Sequence, residues 1–281
     1  MKNVFKSLLF SLLFFVIYFI FQVLVMQIFT IVISISSAHK NPYISLEEIY
    51  AMVIGNLSLI LFISMILSIA VYIIIAKLRH KSLLKTMDFK TLSLKHICYL
   101  LIFTIFTALF TNVFVNVIAP YFPSYNEVSD TLGQSVTTAL GLLVTVVFAP
   151  IFEEILFRGL IFKELSGSMN VKIAIVLQAV IFGAAHMNML QFIYAFTLGL
   201  FLGLIYYWSR SLIAPIIVHC LYNFLGSVIF PNYLPISKML AIIYLISGLI
   251  FSLLSIHKLY KLRDVNIMSA NREKEDVENS Q

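Results

Sequence analysis

Apolar residues come in long runs along this chain, interrupted by short polar gaps, with no period-two alternation of the kind a half-buried strand would show. Eight runs approach the roughly 20 residues a helix needs to cross a hydrocarbon core about 30 Å thick. They cover 6–36, 50–76, 97–119, 137–162, 171–190, 191–208, 212–230 and 237–257. The fifth and sixth touch, so a very short turn near Asn188 has to join them. This pattern predicts an all-α polytopic membrane protein of about eight transmembrane helices. The polar segment 77–96 carries Leu83, Leu84, Met87, Phe89 and Leu92 and is expected to lie on the membrane surface as an amphipathic helix. From 258 onward the chain turns polar and ends in NREKEDVENSQ, which reads as a disordered tail.

Composition agrees with the pattern. Hydrophobic residues make up 61% of the 281 residues and charged ones 11%, where soluble domains are about 45–50% apolar and about 25% charged. The formal charge of +6 does not point to nucleic acid, because Lys and Arg occupy the gaps between apolar runs and form no basic face. Cys98 and Cys220 fall within or at the edge of apolar runs, so no disulfide framework is expected. Lys2 and Lys6 ahead of an apolar stretch resemble a secretory signal, but the run from Leu8 to Ala38 is about twice a signal's length. It is read as an uncleaved first span. No Gly-rich phosphate loop and no internal repeat are evident, and the chain reads as a single membrane domain, 1–281.

The basic residues set an orientation. With the N-terminus in the cytoplasm and eight alternating spans, all but Lys40 and Lys238 of the 19 Lys and Arg fall on the cytoplasmic side. Both termini are therefore expected inside, in a plasma membrane that we read as bacterial.

Polar residues within the runs carry the chemistry. The fourth holds Glu153, Glu154 and Arg158, the fifth Gln178 and His186, and the seventh His219 and Asn223. A charge at mid-span costs about 2.5–3.5 kcal/mol even on the lenient insertion scale, so such residues face a cavity or one another. Glu154 and Arg158 are four apart with the acid first, the favourable order for a helical pair, and are assigned to a structural ion pair. Glu153 is turned about 100° away, onto the face of Phe157, and is the carboxylate suited to take a proton. His219 and Asn223, also four apart, project from one face. At about 1.5 Å per residue the depths are about 18 Å for Glu153, about 24 Å for His186, about 12 Å for His219 and about 18 Å for Asn223. Pro150 and Pro215 are expected to bend their helices and make room for water. Gln178 and Asn188 read as structural.

These residues spell EExxxR (Glu153, Glu154, Arg158), FxxxH (Phe182, His186) and HxxxN (His219, Asn223), in that order within 137–230. The series resembles the CAAX-protease and bacteriocin-processing family (CPBP, or Abi), whose eukaryotic members include the Ras-converting CAAX endopeptidase. The resemblance implies endoproteolysis inside the membrane on a membrane-associated peptide or protein. Glu153 and His186 would then hold and activate water, while His219 and Asn223 stabilise the oxyanion. Among bacterial relatives the implied roles are peptide processing and immunity to self-made bacteriocins. Glu153, His186 and His219 would also make a zinc set with water as fourth ligand. The lack of HExxH, and a carboxamide better suited to donating than to ligating, favour a site that uses no cofactor.

Two rival readings remain, a proton-coupled transporter and a non-catalytic immunity or scaffold protein. A transporter would be expected to show internal repeats and paired broken helices, and neither is apparent. The orientation has a direct test. External loops are expected at 37–49, 120–136 and 231–236. In a background without native Cys, an impermeant thiol reagent on intact cells should label a cysteine placed at Asn126 and spare one at Ser269. Equal labelling, or labelling of 269 alone, would contradict the topology.

Overall fold

A computed structural model describes residues 3–80, 82 and 87–278, with side chains to Arg263; helices joined by short turns make up these residues, and no strand occurs among them. In chain order the helices are α1 (Val4–Lys40), α2 (Leu46–Gly55), α3 (Leu57–Leu78), α4 (Leu94–Ile118), α5 (Tyr125–Ser135), α6 (Ala139–Ser166), α7 (Val171–Ala184), α8 (Met189–Ser209), α9 (Ile213–Tyr233) and α10 (Lys238–Glu278). Among the described residues seven are long and apolar enough to cross a membrane, namely α1, α3, α4, α6, α8, α9 and α10 up to Arg263.

The apolar runs and the helices differ in five places. The second run is two helices. Ser45 and Glu48 form a capping box that starts α2, and the break at Asn56 leaves α3 alone as the long apolar helix. The fifth run is the 14-residue α7, about 21 Å long at 1.5 Å per residue and shorter than the hydrocarbon core. The loop 120–136 contains α5, whose Tyr125, Val128 and Leu132 are half-buried while Glu127 and Asp130 are exposed. The surface helix expected over 77–96 falls partly on residues outside those described; residues 87–93 are not helical. The tail expected to be disordered from 258 instead continues α10 as far as Glu278.

The chain forms two compact units, one from residues 1–87 and 123–178, the other from 88–122 and 179–281, with α7 divided between them. In the first, α1 packs along α3. Its inward positions Ser7, Ser11, Phe14, Tyr18, Phe21 and Val25 follow a four-three spacing, buried or half-buried throughout. That is the seam of a helix pair. Small residues on both sides let the backbones close up. Ser64 Oγ donates to the Phe21 carbonyl at 3.3 Å, and Tyr72 Oη to the Phe14 carbonyl at 2.7 Å. At one end Arg79 lies 4.0 Å over the Phe10 ring and pairs with Glu164 at 2.6 Å, tying α1, α3 and α6 together.

In the second unit α4 and α10 are closely packed. Phe106 stacks on Phe251 at 4.5 Å, and Thr107 Oγ1 donates to Ser252 Oγ at 2.9 Å. Gly248 permits the approach, since a Cβ there would stand 2.8 Å from Phe110 Cβ. Leu100, Phe103, Leu198, Leu202, Ala214 and Val218 fill the core between α4, α8 and α9.

Candidate active site

Each unit carries part of the set of candidate residues. In the first, α6 is not a uniform α-helix. It widens to a π-helix over Val144–Phe148, returns to α-geometry over Ala149–Glu154, and widens again over Ile155–Phe162. The first widening has a cause in the sequence. Pro150 has no N–H to give and its ring would clash with the carbonyl four residues back, so the Ala149 N–H bonds five residues back, to Val144. The same device recurs in α9, where Leu225–Ile229 is π-helical and the Phe230 N–H, just ahead of Pro231, bonds to the Leu225 carbonyl. Pro215, expected to bend α9, sits in its first turn, where the amide is an orphan in any case. The proline that acts on α9 is Pro231. The third widening has no proline near it, and we have no local cause for it.

Glu154 and Arg158 are wholly buried and joined by a hydrogen-bonded ion pair, Nη1 to Oε1 at 2.8 Å. Arg158 also lies in the field of Glu153, with Glu154 the larger influence. Glu153 itself is half-buried. The residue before it, Phe152, is buried and carries the Tyr18 ring of α1 against it at 4.5 Å.

In the second unit α7 ends at Ala184 and His186 follows in the turn, half-buried. Its Nδ1 lies 2.9 Å from the Phe182 carbonyl. A carbonyl can only accept, so Nδ1 carries a proton, and in the neutral form of the ring Nε2 is then the nitrogen with the lone pair. Met187 takes a left-handed φ of 53°, unusual for a bulky side chain, and Asn188 then caps α8 by accepting from the Leu190 and Gln191 amides. The turn is thus pinned on both sides of the imidazole. The Phe182 ring stands between the two histidines. Its centroid is 5.2 Å from that of His186 and 5.7 Å from that of His219, nearly perpendicular to both. Gly199 of α8 makes room for that ring, since a Cβ there would meet Phe182 Cδ1 at 3.1 Å. His219 is buried on α9, and Asn223 follows one turn on, half-buried.

Phe182 therefore brings His186 and His219 together. Gln178 is fully buried and donates from Nε2 to the Ile175 carbonyl at 2.9 Å. Cys98 and Cys220 form no disulfide. Within either unit, among the described residues, no three His, Cys, Asp or Glu side chains lie close enough together to hold a metal ion.

The buried pair has a measurable signature. Glu154→Gln or Arg158→Met alone strands a charge in an apolar interior and should cost about 3–5 kcal/mol, read as lower yield and melting temperature. The two together should be milder than the sum of the singles, with a coupling above about 0.5 kcal/mol. Additive losses in that double-mutant cycle would contradict the assignment.

Comparison with known proteins bears on the same segment. Residues 135–225 match the family model described as type II CAAX prenyl endopeptidase Rce1-like. No curated protein and no solved structure matches the chain. The matched stretch contains Glu153, Glu154, Arg158, His186, His219 and Asn223, and over these residues, about a third of its length, the chain is similar to that family.

Proposed function

We propose that the protein is an intramembrane endopeptidase that cleaves a membrane-associated peptide or protein with a water activated by Glu153. The observation that carries this reading is the family match over 135–225, with EExxxR, FxxxH and HxxxN intact and in order within it.

The residue types account for each part of a peptide hydrolysis. The Glu153 carboxylate takes a proton from water as the oxygen attacks the scissile carbonyl. His186, its Nε2 lone pair exposed by the bond from Nδ1 to the Phe182 carbonyl, orients that water. The developing oxyanion is held by His219 and by the Asn223 carboxamide, donors that act strongly where water is sparse. The proton taken by Glu153 returns to the leaving amine as the C–N bond breaks. Glu154 is committed to Arg158 and takes no part in the transfer. We read the setting as a bacterial plasma membrane and the role as peptide processing or bacteriocin self-immunity. We favour a reaction without a metal, because Asn223 suits donation and the chain has no HExxH.

The test uses purified protein in proteoliposomes with a quenched-fluorescent peptide ending in a farnesylated CAAX sequence, and its unprenylated counterpart. Cleavage of either by the wild type is expected, and the two rates compared report prenyl recognition. His186→Ala should lower kcat at least about 10²–10⁴-fold. His219→Ala and Asn223→Ala should keep a trace, since one oxyanion donor is worth about 2.7–4 kcal/mol. Activity should survive a chelator, with well under one zinc per chain. Stoichiometric zinc, with activity lost on its removal and restored on addition, would make Glu153, His186 and His219 ligands instead. Full activity in His186→Ala would contradict the proposed mechanism.

A further inference from the structure

The second unit carries its charge at one end. Up to Arg263 its cations are Lys90, Lys95, Arg210, Lys238, Lys258, Lys261 and Arg263, against a single carboxylate, Asp88. All of these cations except Lys238 gather where α4 and α9 begin, α8 ends and the apolar part of α10 gives out. The four helices converge there on a small cavity whose lining includes Leu92, His96, Trp208, Ser209, Ala214 and Leu259. Lys90, Lys95, Arg210, Lys258 and Lys261 each lie within two residues of those positions, and all five are exposed. The chain at 88–90 is tied to the turn between α8 and α9. Ser211 Oγ donates to the Lys90 carbonyl at 2.5 Å, and the Leu212 N–H to the Asp88 carbonyl at 2.9 Å.

Both arginines of this end are seated on aromatic rings. Arg210 closes α8 with a left-handed φ of 53°, and its guanidinium lies 5.3 Å from the centre of the Tyr207 ring. Arg263 stands 3.6 Å over Tyr260, and Tyr260 in turn meets Trp208 edge-on at 5.3 Å. Stacking uses the flat face of a guanidinium, while its donors lie in the plane, where they match the oxygens of a phosphate. We propose that this end of the unit binds an anionic phospholipid of the surrounding leaflet, with the phosphate among Arg210, Arg263 and the lysines around them. The excess of cations over the one carboxylate favours an anion. The rings favour a lipid over a soluble acid. Tyr207, Trp208 and Tyr260 sit where the apolar helices end, the level at which such rings settle among headgroups. Leu92 and Leu259 beside them suit an apolar chain. The proposal is independent of the chemistry at Glu153 and His186.

Trp208 is the only tryptophan of the chain, so its emission reports on this end alone. The full-length protein in phosphatidylcholine bilayers is given increasing fractions of phosphatidylglycerol or of phosphatidylcholine, each brominated near the glycerol backbone. Brominated phosphatidylglycerol should quench Trp208 with an apparent affinity at least about five-fold above that of brominated phosphatidylcholine. The preference should fall to near parity in Arg210→Gln with Arg263→Gln, and only in part in Lys258→Gln with Lys261→Gln, which removes the same charge. Equal quenching by the two lipids in the wild type would overturn the proposal, and that comparison depends on no variant. Equal loss in the two double variants, or none in the arginine pair, would reduce the site to a diffuse positive surface and overturn it as well. Inorganic phosphate should relieve the quenching no more than chloride at matched ionic strength. Stronger relief would assign this end to a soluble anion and overturn the lipid reading.

Discussion

An ion does not sit stably in hydrocarbon unless something answers its charge, and the first unit is built around that constraint. Arg158 and Glu154 are both fully buried and meet at 2.8 Å. Stranding either would cost about as much as a small domain's margin can bear. Both partners lie on α6, four residues apart, so the pair marks the face of that helix that is sealed in the interior. Glu153, turned about 100° from Glu154, is half-buried where Glu154 is sealed. Two adjacent carboxylates thus have different surroundings on one helix. The widened turns on both sides of Ala149–Glu154 are consistent with a helix whose register answers to side-chain demands as well as to its own ladder.

The second unit meets a related demand on its backbone. At membrane depth non-helical chain is tolerated only where its polar groups find partners. The turn between α7 and α8 does this with few residues. The Met187 amide bonds to the Ala184 carbonyl, the His186 ring caps the Phe182 carbonyl, and Asn188 accepts from two amides of α8. One imidazole thereby serves the helix end through Nδ1, with its other nitrogen outside that bond. Phe182, seated against Gly199, sets that ring and the His219 ring on either side of its own. In FxxxH and HxxxN the apolar and polar members are thus mechanically linked within this unit.

Hydropathy and spacing made part of this legible. Long apolar runs give helices because no other open structure satisfies a backbone in lipid. Glu154 and Arg158 can be paired from a separation of four. Other features follow from contacts that no local pattern records. Arg79 and Glu164 meet across 85 positions, and Tyr18 reaches Phe152 only because α1 folds onto α6. The capping box at Ser45 and Glu48 was visible in the sequence and marks the start of α2 ahead of the second run, whereas the break that divides that run falls at Asn56. The shortness of α7 was concealed because apolar sequence resumes at Met189 immediately after the turn, so the fifth and sixth runs touch. Pro231 lay at the edge of its run, where it read as a loop residue, although its effect falls on the turn behind it.

The central claim is that neighbouring carboxylates do different work, one neutralised by Arg158 and one acting on water. The most direct measurement takes Glu153→Gln and Glu154→Gln side by side, scoring reporter cleavage and melting temperature on the same purified samples. The account predicts that Glu153→Gln melts like the wild type and does not cleave, losing at least about 10²-fold in kcat. Glu154→Gln should lose several degrees or more in melting temperature, and any protein that remains folded should still cleave. A well-folded, inactive Glu154→Gln beside an active Glu153→Gln would contradict it.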